Sequence, residues 1–248
     1  MAAGKQRADL LLVERGLAES RSQAQAIILA GRAFSGERRV AKAGDLLPLE
    51  IPLEVRGAAH PWVSRGGLKL EKGLDHFGLD PAGLACLDIG ASTGGFTDVL
   101  LARGAARVYA VDVGHGQLAW KLRQDPHVVV LERCNARYLT PEQVPEPVQA
   151  LVCDASFISL TTLLPAPLAL ATSGAWLVAL IKPQFEVGKG RVGKGGVVRD
   201  SALHAEVCGR IEAFLNQQPG WRVLGVTESP ILGPQGNQEF LIAARLDS

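Results

Sequence analysis

Three charged residues stand just outside apolar runs, where a strand stops packing and its last side chains meet solvent. Asp154 follows Ala150-Leu151-Val152-Cys153, Lys182 follows the run from Ala175 to Ile181, and Glu239 precedes the run from Phe240 to Ala244. Two acids and an amine so placed can orient a polar substrate group and move its proton. A free lysine titrates near ~10.4, so Lys182 either orients such a group or needs a depressed pKa to act as base. Burial and a neighbouring cation lower that value, and neighbouring acids raise it. Upstream, the run Ala85-Cys86-Leu87 leads into Asp88-Ile89-Gly90-Ala91-Ser92-Thr93-Gly94-Gly95. A strand, a glycine-rich turn and a helix bring backbone close to a nucleotide-type ligand. The spacing is Gly-x-x-x-Gly-Gly, which differs from the Gly-x-Gly-x-x-Gly of dinucleotide binders. Asp112 ends the next strand, at the place where an acid commonly accepts hydrogen bonds from ribose hydroxyls.

These residues need a frame that collects strand ends along one edge. Apolar strand-like runs end near Ile89, Asp112, Leu131, Asp154, Ile181, Val226 and Ala244. Between them lie helical stretches from Arg65 to Phe77, Phe96 to Ala102, Gly116 to Arg123, Ser159 to Ala171 and Ala202 to Asn216. Pro165 and Pro167 should kink the fourth of these. Alternating strands and helices predict a doubly wound α/β sheet, whose ligands sit outside the carboxyl ends of the strands.

The glycine-rich turn resembles the first motif of S-adenosylmethionine (AdoMet) methyltransferases. The resemblance implies a cofactor site of Asp88, Gly90, Ser92, Gly94, Gly95, Phe96, Asp112 and Val113. With Lys69 from the helix that begins near Arg65, the charged residues follow the order Lys69, Asp154, Lys182, Glu239. That order resembles the catalytic tetrad of FtsJ-like ribose 2'-O-methyltransferases. In their Rossmann-like seven-stranded sheet the last strand is antiparallel, which would bring Glu239 to the ligand edge.

The amino-terminal segment carries a different pattern: Arg7-x-Asp9-x-x-Leu12, Gly16-Leu17, Ser20-Arg21-x-x-Ala24, Ile27-Ile28 and Gly31-Arg32. It resembles the S4 RNA-binding module, a small α+β domain, and departs from it at Ala33-Phe34-Ser35-Gly36. Residues 1–48 hold eight Lys/Arg against five acids, a net of +3. By resemblance, Arg7, Arg21, Arg32, Arg38 and Arg39 would contact RNA phosphates, which positions RNA without reading its sequence. A basic loop, with Lys189, Arg191 and Lys194, would clamp RNA beside the catalytic residues.

Taken whole, the chain resembles the TlyA family, often labelled haemolysin A. Ser64-Arg65-Gly66-Gly67, Cys153 to Ile158, Lys182 to Glu186 and Gly236 to Phe240 carry the match. The family implies AdoMet as cofactor, no metal, ribosomal RNA or a ribosomal subunit as partner, and cytidine 2'-O-methylation in the cytoplasm. The expected organisation is an S4-like domain over residues 1–59, a linker over 60–64 and a methyltransferase domain over 65–248. His60-Pro61 before Trp62-Val63 departs from the arginine-containing linker of one branch of the family.

Composition narrows the alternatives. A 47% hydrophobic, 21% charged chain of 248 residues can bury a sizeable core. Net charge is +1, so an anionic partner must be met by local patches. Cys86, Cys134, Cys153 and Cys208 have no paired spacing and read as reduced thiols rather than a zinc site or disulfide framework. Asp154-Ala155-Ser156-Phe157 lacks the prolines usual in amino-group methylation of bases. Cytosine C5 chemistry needs a cysteine nucleophile, and Cys153 should point into sheet packing. Gly188 to Gly195 lacks the Ser/Thr of a phosphate-binding P-loop. Two other classes stay open: a membrane-active cytolysin, which would need an amphipathic insertion segment, and a non-catalytic S4-type RNA-binding protein. No stable membrane association is expected, since no apolar segment is long enough to span a bilayer.

Overall fold

The strand-like runs condense into one sheet in a computed structural model that describes residues 4–18, 20–56, 60–188 and 190–247. The chain divides into two units, Met1–Pro61 and Trp62–Ser248. Trp62, Val63 and Ser64, read from sequence as linker, therefore belong to the second unit. Trp62 packs against an apolar cluster there, and the Val63 N–H donates to Asp98 Oδ2 at 2.8 Å.

The first unit is small. Strand β1 (Lys5–Arg7) leads directly into α1 (Ala8–Glu14), and α2 (Arg21–Leu29) follows. The Gln23 N–H donates to Ser20 Oγ, so Ser20 caps α2 as its residue type predicts. Strands β2 (Ala33–Ser35), β3 (Arg38–Arg39), β4 (Leu46–Pro48) and β5 (Glu54–Val55) complete the unit. β1 pairs with β4, and β2 lies between β3 and β5, all antiparallel. Leu12, Ala24, Ile28 and Ala33 fill the core. Asp9 is fully buried beside them, and Arg7, Arg21 and Gln25 all donate to its carboxylate at 2.9–3.0 Å. The Arg7 guanidinium, opposed by burial and helped by Gln25 and Arg21, holds this carboxyl well below the usual range.

In the second unit α3 (Gly66–Phe77) precedes β6 (Ala85–Ile89), α4 (Gly95–Ala102), β7 (Arg107–Val111), α5 (Trp120–Arg123) and β8 (Val128–Leu131). Then come β9 (Val148–Cys153), α6 (Leu160–Leu163), α7 (Pro165–Leu168), β10 (Ala171–Ile181) and α8 (Pro183–Glu186). α9 (Ser201–Asn216), β11 (Trp221–Glu228) and β12 (Phe240–Leu246) end the chain. The seven strands lie in the order β11-β12-β10-β9-β6-β7-β8, with β12 antiparallel to both neighbours. This is the Rossmann-like sheet expected from the alternation, with its reversed last strand.

Both faces of the sheet are covered, so its central strands are apolar throughout. Alternation along β10 sends Leu177, Ala179 and Ile181 into one core and Trp176, Val178 and Leu180 into the other, beneath α3 and α4. Two helices differ from expectation. Gly116 takes a left-handed φ of +70° and Ala119 is the N-cap with a non-helical ψ of 139°, so only Trp120–Arg123 is helical where Gly116 to Arg123 was expected. Pro165 opens a second short helix at its N1 position, where Pro costs no hydrogen bond, rather than kinking one long helix. Among the described residues, no helix is long and apolar enough to cross a membrane.

Candidate active site

Strand register alone gathers three of the charged residues. Ile181 pairs with Phe240, which sets Lys182 beside Glu239, and Ala179 pairs with Cys153, which ends β9 two residues before β10 and brings Asp154 level with Leu180. Period-two alternation decides their face. Ala150 and Val152, Val178 and Leu180, and Leu241 and Ala243 all enter the core under α3. Asp154, Lys182 and Glu239 continue those rows. Lys69 meets them from α3, where it is buried one helical turn before Gly73 packs on Val178 and Leu241.

The four side chains form a chain of alternating charge. Lys182 Nζ lies 2.6 Å from Asp154 Oδ1, Lys69 Nζ lies 3.8 Å from Asp154 Oδ2, and Lys69 Nζ donates to Glu239 Oε2 at 2.6 Å. Side-chain exposure is 8% for Lys182, 7% for Lys69, 20% for Asp154 and zero for Glu239. Two cations and two anions cancel, which is what lets four ionisable groups share one desolvated place. Lys182 also donates to Ser156 Oγ at 2.8 Å and to the Asp154 carbonyl at 3.2 Å.

A cavity of about 560 Å³ opens beside this chain, walled by Ile89, Gly90, Asp112, Val113, Ala136 and Ile158. A second, of about 280 Å³, contains Lys69, Asp154 and Lys182 and shares Gly90, Ser92, Asp154 and Ser156 with the first. Gly90 sits at φ +83°, and a Cβ there would lie 3.0 Å from the Ala155 backbone, so glycine is needed where the two loops touch. Asp112 is held by the N–H groups of Ser92 (2.8 Å) and Gly114 (2.7 Å). A carboxylate has four lone-pair sites, so it keeps capacity for ribose hydroxyls. With the apolar Val113, Ala136 and Ile158 lining the same cavity, these residues fit a nucleoside.

The other cofactor candidates take different places. Gly95 and Phe96 line the second cavity. Gly94 lies under α5, where a Cβ would run into Leu118 and Leu122. Asp88 lies beneath the turn, fully buried, and its Oδ2 accepts a 2.6 Å hydrogen bond from Thr97. Its other oxygen has no partner among the described residues. Burial, against the Thr97 bond and with Asp154 nearby, pushes its pKa up to about 7. Burial likewise pushes the Cys153 thiol up to about 12, which makes it a poor nucleophile.

The arginine candidates are divided too. Arg7 and Arg21 are partly exposed but engaged with Asp9. Arg32 Nε donates to the Arg56 carbonyl at 3.4 Å. Arg38 and Arg39 are exposed on β3. Arg191 makes two bonds to Glu206, at 2.5 and 2.6 Å. Lys189 and the Lys194 side chain lie outside the described residues. Sequence reading passed over Ser156 and Glu186 as site residues. Glu186 is buried and accepts from Ser159 Oγ, the Leu160 N–H and Arg210, which ties the segment after β9 to α8 and α9. Its signal was a carboxylate four residues beyond Lys182, between Phe185 and Val187.

A seven-stranded Rossmann-like sheet with a reversed last strand, a glycine-rich turn and an acid after the second strand of the sheet define an AdoMet-dependent methyltransferase. The N-methyltransferase NodS of Bradyrhizobium japonicum, solved with S-adenosyl-L-homocysteine, shares the fold at TM-score 0.53 and 13% identity over 77% of this chain and 90% of its own. Residues 62–246 match the family model described as FtsJ-like methyltransferase, and the chain belongs to that family. It is 51% identical to the 16S/23S rRNA (cytidine-2'-O)-methyltransferase TlyA of Mycobacterium tuberculosis, over 98% of this chain and 91% of that one. A Streptococcus thermophilus structure that carries a hemolysin label aligns with TM-score 0.77 and 43% identity, over 100% of this chain and 90% of its own.

Asp88 gives the site a pH signature. Its folded pKa near 7 lies above the unfolded value of about 4, so between these pH values the native state holds the extra proton. Its contribution to stability therefore falls as pH rises from about 4 to 7 and is level above that. In urea titrations across this window, the stability difference between wild type and Asp88→Asn should shrink in the same direction. A constant difference would show that Asp88 does not titrate there.

Proposed function

We propose that this chain is an AdoMet-dependent ribosomal RNA methyltransferase that modifies the ribose 2'-hydroxyl of cytidine. The observation that carries the reading is the neutral Lys69–Asp154–Lys182–Glu239 chain set where the nucleoside-shaped cavity opens. The name of the M. tuberculosis relative supports the substrate. Gly90, Ser92, Asp112 and Val113 would hold the cofactor. Bound AdoMet supplies a methyl group on a cationic sulfur, which needs only an oxygen lone pair in line with it.

The protein's task is then placement and proton removal. Lys182, aimed by Asp154, orients the 2'-oxygen. The proton leaves that oxygen for the Asp154 carboxylate, because the Lys182 ammonium has no lone pair to accept it. Lys69 and Glu239 hold Asp154 in register and keep the cluster neutral. Cys153, buried with a pKa near 12, has no covalent role in this scheme. The S4-like first unit and the basic segment around Arg191 hold the RNA backbone. On this reading the protein works where ribosomal RNA is, in the cytoplasm.

Three outcomes follow. Asp112→Ala should weaken AdoMet binding by roughly 1–3 kcal/mol, the worth of a charged hydrogen bond, as read by calorimetry. Unchanged affinity would remove Asp112 from the site. Lys182→Ala and Lys182→Arg should both lose single-turnover methyl transfer while AdoMet affinity stays within a few fold. Arginine fails because its fork cannot reproduce a lysine's point contact; near-normal turnover by Lys182→Arg would contradict the assignment. Reversing Arg38 and Arg39 to Glu should leave AdoMet binding intact and weaken RNA binding. Its log–log salt dependence should flatten by about 2. RNA affinity equal to wild type at every salt concentration would remove the first unit from RNA capture.

A further inference from the structure

Three oxygens crowd Lys182 Nζ: Asp154 Oδ1 in an ion-pair contact at 2.6 Å, and the Asp154 carbonyl at 3.2 Å and Ser156 Oγ at 2.8 Å as acceptors of its two hydrogen bonds. A hydroxyl that is to be oriented by Lys182 in the space these oxygens fill must displace one of them. Asp154 Oδ1 is a poor candidate, because parting a buried ion pair leaves an uncompensated charge. The Asp154 carbonyl is fixed by the sheet, since the N–H of the same residue donates to the Ile89 carbonyl at 3.0 Å. Ser156 Oγ is neutral, its residue is exposed, and a χ1 rotation releases it.

Position points the same way. Ser156 lines the cofactor-sized cavity, the cavity containing Lys69 and Lys182, and a third of about 280 Å³ that reaches Phe185 and Glu239. An oxygen that meets a methyl group from the first cavity and Lys182 in the second must enter where these join. The loop is pinned beyond this point, where Glu186 accepts from Ser159 Oγ and the Leu160 N–H, both at 2.8 Å.

We propose that Ser156 Oγ stands in for the acceptor: it holds one N–H of Lys182 in the free enzyme and yields it to the ribose 2'-hydroxyl when RNA docks. This rests on the 2'-O-methyltransferase reading above. Ser156 is thus a positioning residue, acting through Lys182, that keeps the ammonium aimed and satisfied between turnovers.

The exchange has a thermodynamic consequence. In wild type the 2'-hydroxyl gains one bond and Ser156 loses one, so the hydroxyl adds little net affinity. Without Ser156 Oγ the same hydroxyl fills an open donor. The test uses the full chain with S-adenosyl-L-homocysteine and two copies of the rRNA fragment that it methylates. One copy has cytidine at the modified position and the other has 2'-deoxycytidine. Wild type and Ser156→Thr, which keeps the hydroxyl, should bind the two within about twofold. Ser156→Ala should prefer the ribose form by about fivefold or more, the worth of one net hydrogen bond. An equal ratio in wild type and Ser156→Ala, or a strong ribose preference already in wild type, overturns the hand-over while leaving the methyltransferase reading intact. A wild-type enzyme that methylates no ribose hydroxyl overturns both.

Discussion

Removing charge from water is the cost around which this active site is built. Each of the four tetrad groups would be strongly destabilising if buried alone, because an unpaired ion in a low-dielectric interior forfeits its hydration. Arranged as cation, anion, cation, anion, with contacts of 2.6, 3.8 and 2.6 Å, they become tolerable together. The arrangement depends on the reversed β12. A parallel strand would present its other end at the ligand edge and leave Lys69 without Glu239. The fold's topological oddity and the cluster's neutrality are one constraint seen at two scales.

The same edge supplies the ligand cavity. Loops after β6, β7, β8 and β9 wall it, and the cluster at the ends of β9 and β10 closes one side. The cavity walls are loop residues held by carboxylate anchors. Asp112 fixes the turn through Ser92 and Gly114, Asp98 fixes the Trp62–Ser64 entry through the Val63 N–H and also pairs with Lys121, and Glu186 fixes the loop bearing Ser156. Carboxylates thus serve as scaffolding well away from the charged cluster. Asp9 does the scaffolding in the first unit.

Much of this was legible because strand ends leave a sharp mark. A parallel sheet covered on both faces writes apolar runs, and the residue that breaks a run marks the strand's end; Asp154, Lys182 and Asp112 stand there. The seven strands were legible for the same reason. The anchors were not. Asp9 and Glu186 stood inside quoted motifs without a task, since their burial and partners such as Gln25 and Arg210 come from distant chain. Arg7 and Arg21 read as phosphate contacts by resemblance, yet their nearest anion is Asp9. The helix expected from Gly116 was overruled by a left-handed glycine and by Leu118 and Leu122 turning onto Gly94. Ser156 lay in view inside a quoted motif, but only its 2.8 Å approach to Lys182 gives it a task.

The central claim is that this cluster places a ribose oxygen, not a base atom, before the methyl group. Nuclease digestion and mass spectrometry of ribosomal RNA, after incubation with the purified protein and AdoMet carrying a deuterated methyl group, decide it most directly. The account predicts label on the sugar of cytidine, seen as a nuclease-resistant 2'-O-methyl linkage, and its loss with Lys182→Ala. Label on the cytosine ring, or RNA unlabelled by a protein that binds AdoMet, would contradict it.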